Sequence, residues 1–97
     1  MGPNQKTGLP RGTIVIGGGA IGLAAALALR AMGVSNVTIA EPNTARRDFL
    51  AALGERTVSK AEGQYPVLID AVGYAATRAA ASALASPGGV IAHVGLG

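Results

Sequence analysis

The sequence predicts an α/β domain built on a parallel, doubly wound sheet of about five strands in the order 3-2-1-4-5. Two observations lead there. Short β-branched runs alternate with helical stretches of about ten residues, and each such helix is needed to carry the chain over one face of the sheet to the next parallel strand. The first run, Thr13-Ile14-Val15-Ile16, has no polar alternation and stops at three glycines, the pattern of a strand buried on both faces. Right-handed crossovers then give the strand order.

Residues 1–12 are polar and rich in Gly and Pro, which reads as a flexible lead or linker remnant and leaves 13–97 as one domain. After the first strand, Ala20 to Met32 forms a helix of Ala, Leu and Ile with Arg30 in its last turn and Gly33 as its stop. Val37-Thr38-Ile39-Ala40 is the second strand. It ends at Glu41-Pro42, where Asn43 or Thr44 caps a helix that runs to about Leu53 and closes at Gly54. A weak third strand falls near Thr57-Val58, and residues 59–66 read as a loop. Val67 to Val72 is the fourth strand, Ala75 to Leu84 an alanine-rich helix, Ser86-Pro87-Gly88-Gly89 a turn, and Val90 to Val94 the fifth strand.

Composition narrows the function. The 97 residues are 49% hydrophobic and only 13% charged, against roughly 25% charged in an average soluble domain. Part of the surface is therefore apolar and fit to be covered. With no cysteine and one histidine the chain offers neither disulfides nor a zinc site. The net charge of +3 is scattered, Arg46-Arg47 is the one adjacent basic pair, and aromatic residues are few, so nucleic-acid binding has little support. No apolar run reaches the length of a membrane span and the N-terminus lacks a signal-peptide core, which makes a cytoplasmic location the default expectation.

One motif carries chemistry. Gly17-Gly18-Gly19-Ala20-Ile21-Gly22 places Gly17, Gly19 and Gly22 in the Gly-x-Gly-x-x-Gly pattern. The first glycine allows a tight turn out of the strand, the second lets backbone approach a pyrophosphate, and the third lets the helix lie close to the sheet. The helix then aims its free N–H groups and positive dipole end at that pyrophosphate. Glu41 follows Gly22 by 19 residues, at the end of the second strand, where a carboxylate accepts hydrogen bonds from the adenosine ribose. The same carboxylate would repel a 2′-phosphate, so NAD is favoured over NADP. Arg46 or Arg47 is the residue that would bind such a phosphate instead.

From Gly12 to Gly97 the chain resembles the cofactor domain of the medium-chain, zinc-dependent alcohol dehydrogenases, a Rossmann-type domain. The resemblance lies in Thr13-Ile-Val-Ile-Gly-Gly-Gly-Ala-Ile-Gly-Leu23, in Ala52-Leu53-Gly54, in Leu68-Ile69-Asp70-Ala71-Val72-Gly73, and in Pro87-Gly88-Gly89-Val90-Ile91 with Val94-Gly95-Leu96. It implies that the backbone of Ala20 and Ile21 holds the pyrophosphate, that Glu41 and Arg46 hold the adenosine ribose, and that Val72 and Gly73 border the cleft. It also implies that Val94, Gly95 and Leu96 approach the nicotinamide. Two departures stand out. The stretch from Gly54 to Val67 is short, so the third strand and the helix after it are expected to be reduced or missing. The family's catalytic domain has no counterpart here, so the chain alone is expected to bind cofactor without turning over alcohol.

His93 is expected to pack at a sheet face or edge, and Asp70, at the cleft end of its strand, to play a structural part, with the orienting of backbone or cofactor groups as the alternative. An FAD-binding or S-adenosylmethionine-binding domain remains an alternative for the glycine turn, as does a non-catalytic nucleotide sensor or oligomerisation module. The sheet edge left open beside the fifth strand is expected to favour self-association.

Overall fold

A computed structural model describes residues 12–17, 19–72 and 83–94. Its elements are β1 (Thr13–Ile16), α1 (Ala20–Ala31), β2 (Val37–Ala40), α2 (Thr44–Ala52), β3 (Arg56–Val58), β4 (Tyr65–Asp70) and β5 (Ala85–His93). The five strands form one parallel sheet in the order β3-β2-β1-β4-β5, as the alternation of runs and helices predicts. Residues 1–11, most of the expected helix from Ala75, and Gly73, Gly95 and Leu96 lie outside the described residues.

Alternation along the strands divides the core into two clusters. Val15, Val37 and Ile39 point to the side that carries α1 and α2, where they meet Ala26 and Leu50. Ile14, Ala40 and Leu68 point to the other side, with Tyr65. Ile14 and Val15 are adjacent and both fully buried, so β1 is the central strand and is covered on both faces. Each helix closes in a similar way. Beyond α1, Gly33 donates to Arg30 O and Val34 to Leu29 O, and beyond α2, Gly54 donates to Ala51 O and Glu55 to Leu50 O. These bonds satisfy the last carbonyls and turn the chain into the next strand.

Arg30 does more than complement the dipole of α1. Its guanidinium lies 3.0 Å from the carboxylate of Glu55, which is buried just ahead of β3. The pair ties the end of the first crossover to the start of the third strand, and it neutralises a charge that burial would otherwise penalise.

β3 is three residues long, and the connection to β4, residues 59–64, contains no helix. Ala61 from this connection packs against the Ile14–Leu68 cluster where a crossover helix would otherwise lie.

Two boundaries differ from the sequence reading. β4 starts at Tyr65 and ends at Asp70, because the Asp70 carboxylate accepts from Val72 N–H at 3.0 Å and turns the chain out of the sheet. Ser86 to Gly89 sits inside β5 instead of before it. Tyr65 pairs with Ala85 and Val67 with Val90, so the turn residues bulge opposite Pro66, which has no N–H to give the ladder.

Leu50 is the fully buried contact of α2 with the sheet. Replacing it with Ala should cost about 3 kcal/mol, read as an earlier urea midpoint with an unchanged slope.

Candidate functional site

The carboxyl ends of all five strands are joined in one line by backbone hydrogen bonds. Glu41 N donates to Val58 O, Gly17 N to Ala40 O, Ala71 N to Ile16 O, and Val94 N to Asp70 O, at 2.8–3.0 Å. Three residues singled out from the sequence, Glu41, Gly17 and Val94, are members of this line. In an open α/β sheet the carboxyl edge is where ligands bind, at the point where crossovers leave in opposite directions, here between β1 and β4.

The glycine turn is built by steric necessity. Gly17 has φ 100°, and a Cβ there would lie 2.8 Å from Val72 Cγ2, so the turn leaves β1 in a conformation and a space that only glycine fits. A Cβ on Gly22 would run into the carbonyl oxygen of Gly17, which means the first turn of α1 rests directly on the turn backbone. Gly19 is the opposite case. A Cβ on it would meet nothing within 4 Å among the described residues, and the residue is exposed. The space before α1 is thus open from outside, which suits the approach of a ligand to the backbone.

Gly19 is the N-cap of α1 and gives no side-chain cap, and the first turn, with Ala20, Ile21 and Gly22, holds no acidic residue. α2 differs: Asn43 Oδ1 accepts from Arg46 N–H at 3.0 Å and closes that helix end. The start of α1 is therefore the one of these two helix ends arranged to receive an external anion.

Glu41 is 3% exposed at the end of β2. Its Oε2 accepts from Asn43 N–H at 2.8 Å, while its own carbonyl accepts from Arg47 Nη1 at 2.9 Å. Arg47 also reaches Pro42 O at 3.3 Å. Of the two adjacent arginines, Arg47 is thus committed to the backbone around Glu41, and Arg46 is the exposed one. At the other half of the edge, Val72 stands beside Gly17 and Val94 is partly exposed at 39%.

Sequence reasoning gave His93 a packing part and Asp70 either a structural part or the orienting of backbone or cofactor groups, and did not bring the two together. Asp70 is fully buried, and its Oδ2 lies 3.0 Å from His93 Nδ1, whose side chain is 42% exposed. The available signal was their equivalent place at the ends of neighbouring parallel strands, which the register Asp70 to His93 makes explicit. Among the described residues, no three His, Asp or Glu side chains gather to hold a metal ion, and no helix is long and apolar enough to cross a membrane.

No protein-family model matches the chain. It is 32% identical over 95 residues to a D-altritol 5-dehydrogenase of Agrobacterium fabrum, covering 91% of this chain and 28% of that protein. It is 33% identical over 110 residues to a geraniol dehydrogenase of Castellaniella defragrans, covering 99% of this chain and 28% of that protein. A probable alcohol dehydrogenase of a Pseudomonas species is 42% identical over 48 residues, half of this chain and 15% of that protein. Among solved structures, the alcohol dehydrogenase TADH from Thermus sp. ATN1 superposes with a TM-score of 0.76 at 25% identity, covering 96% of this chain and 31% of that one. The relatives are alcohol and polyol dehydrogenases, and the chain spans about 28% of the length of the two it matches along most of its own.

The two glycines of the helix start should respond to different degrees. Gly22→Ala should lose about 1–3 kcal/mol of stability through its collision with Gly17, and Gly19→Ala no more than about 1 kcal/mol. Chemical denaturation of both variants checks the pair.

Proposed function

We propose that this chain binds a nicotinamide dinucleotide, NAD in preference to NADP, as the cofactor domain of an alcohol- or polyol-oxidising dehydrogenase of the medium-chain type. The observation that carries the reading is the open, uncapped start of α1 at Gly19, two residues beyond Gly17, which shares the strand-end line with the buried Glu41. The dehydrogenase relatives support the same ligand class. The residues present fit it: the backbone at Gly19, Ala20 and Ile21 would receive the pyrophosphate, and Gly17 and Gly22 make the turn that places it.

Glu41 would take the adenosine ribose hydroxyls. Its carboxylate is held by Asn43 N–H, and Arg47 is spent on the carbonyls of Glu41 and Pro42, so neither arginine of the pair is placed by a contact to welcome a 2′-phosphate. Arg46, exposed on the first turn of α2, would lie at the rim of this subsite. Val72 with Gly73, and Val94 with Gly95 and Leu96, would border the nicotinamide half. The bound group supplies hydride transfer, and the protein supplies binding and orientation. The 97 residues alone are proposed to bind cofactor and not to oxidise alcohol, with substrate and any zinc held by other parts of a longer enzyme.

Calorimetric titration with NAD, NADP, FAD and S-adenosylmethionine tests the reading. We expect NAD to bind most tightly, and Gly19→Ala to abolish that binding while the fold persists. Glu41→Gln keeps an acceptor for Asn43 but loses the charge, so it should weaken NAD by about tenfold and narrow the gap to NADP. Tighter binding of FAD or S-adenosylmethionine would reassign the site.

A further inference from the structure

The dinucleotide-binding fold has two mononucleotide halves, and the glycine turn with Glu41 accounts for the first. The second, β4 and β5, ends in a buried carboxylate bonded to a half-exposed imidazole. Asp70 and His93 are register partners on adjacent parallel strands, with their side chains on the same face. The imidazole leans from β5 onto β4, toward the switch point between β4 and β1.

The chemistry of the contact sets the tautomer. An ionised carboxylate only accepts hydrogen bonds, so the His93 nitrogen 3.0 Å from Asp70 Oδ2 is the one that carries the proton. The other oxygen, Oδ1, accepts from Val72 N–H, which fixes the plane of the carboxylate. In the neutral ring Nε2 is then an acceptor, on a side chain 42% exposed at the carboxyl edge.

We propose that His93 contacts the cofactor, Nε2 accepting a hydrogen bond from a donor on the nicotinamide mononucleotide half, either a ribose hydroxyl or the carboxamide NH2. Asp70 is the positioning residue that holds His93 in the accepting tautomer. The proposal rests on the dinucleotide reading above and assigns its second half a polar contact, as Glu41 does in the first.

Asp70→Asn offers a sharp test. Val72 N–H still requires an acceptor, so the new amide must turn its oxygen there and its NH2 toward His93 Nδ1. The ring proton is driven to Nε2, which becomes a donor where an acceptor is needed. His93→Phe removes the nitrogen and keeps a flat ring, and His93→Gln returns a carbonyl acceptor.

The measurement is calorimetric affinity for NAD, ADP-ribose and ADP in the wild-type chain and the three variants. Circular dichroism monitors the fold and imidazole 15N shifts report the tautomer. We expect His93→Phe and Asp70→Asn to weaken NAD by about three- to tenfold, with ADP unchanged and His93→Gln recovering part of the loss. A loss shared by NAD and ADP-ribose identifies the ribose hydroxyl, and a loss confined to NAD the carboxamide. If Asp70→Asn does not fold, His93→Phe decides. Unchanged NAD affinity in His93→Phe, or an equal loss for ADP, overturns the contact and leaves the dinucleotide reading standing. A wild-type chain that binds none of the three ligands overturns both.

Discussion

The close approach of Gly22 to the carbonyl of Gly17 is the contact on which the arrangement of the sheet edge depends. With no side chain between them, the first turn of α1 rests on the backbone that leaves β1, and the helix follows the strand without a gap. That contact sets where the N–H groups of the helix start point. It also leaves the Gly17 amide on Ala40 O, which brings the end of β2 and Glu41 alongside. A larger residue at either position would separate helix, turn and neighbouring strand together.

Three buried carboxylates show how a chain with so few charges uses them. Glu55 meets Arg30, Glu41 is held by the Asn43 amide, and Asp70 lies between Val72 N–H and His93. Burial without partners would cost each several kcal/mol. Glu55 joins elements far from the strand ends, whereas Glu41 and Asp70 both stand at the carboxyl edge, one in each half of the sheet. Asn43 and Val72, whose N–H groups they accept, lie in the loops that leave the strands, so the carboxylates order those loops as well as facing the edge.

Much of this was legible in the chain itself. Short β-branched runs marked β1 and β2 to the residue, because a strand buried on both faces leaves no room for charged alternation, and glycine after each helix marked where α1 and α2 end. The turn glycines were legible because each answers a separate steric demand. What escaped was pairing at a distance. Nothing local says that Arg30 will reach Glu55, that Arg47 instead of Arg46 will fold back on Glu41, or that Asp70 and His93 share a register. The Ser86–Gly89 turn was recognised by its chemistry but misplaced, since only the partner strand, with Pro66 in it, reveals that the turn is absorbed as a bulge.

That bulge bears on the shape of the sheet's edge. β5 is the last strand of the described sheet, and a long straight edge would be a template for endless stacking of chains. Although β5 runs for nine residues, the irregular stretch opposite Pro66 leaves only Val90–His93 in continuous register with β4. On its β4 side the strand is therefore regular over four residues and kinked ahead of them. The proline and glycines thereby give this strand the kind of local irregularity that bends and twists a sheet edge.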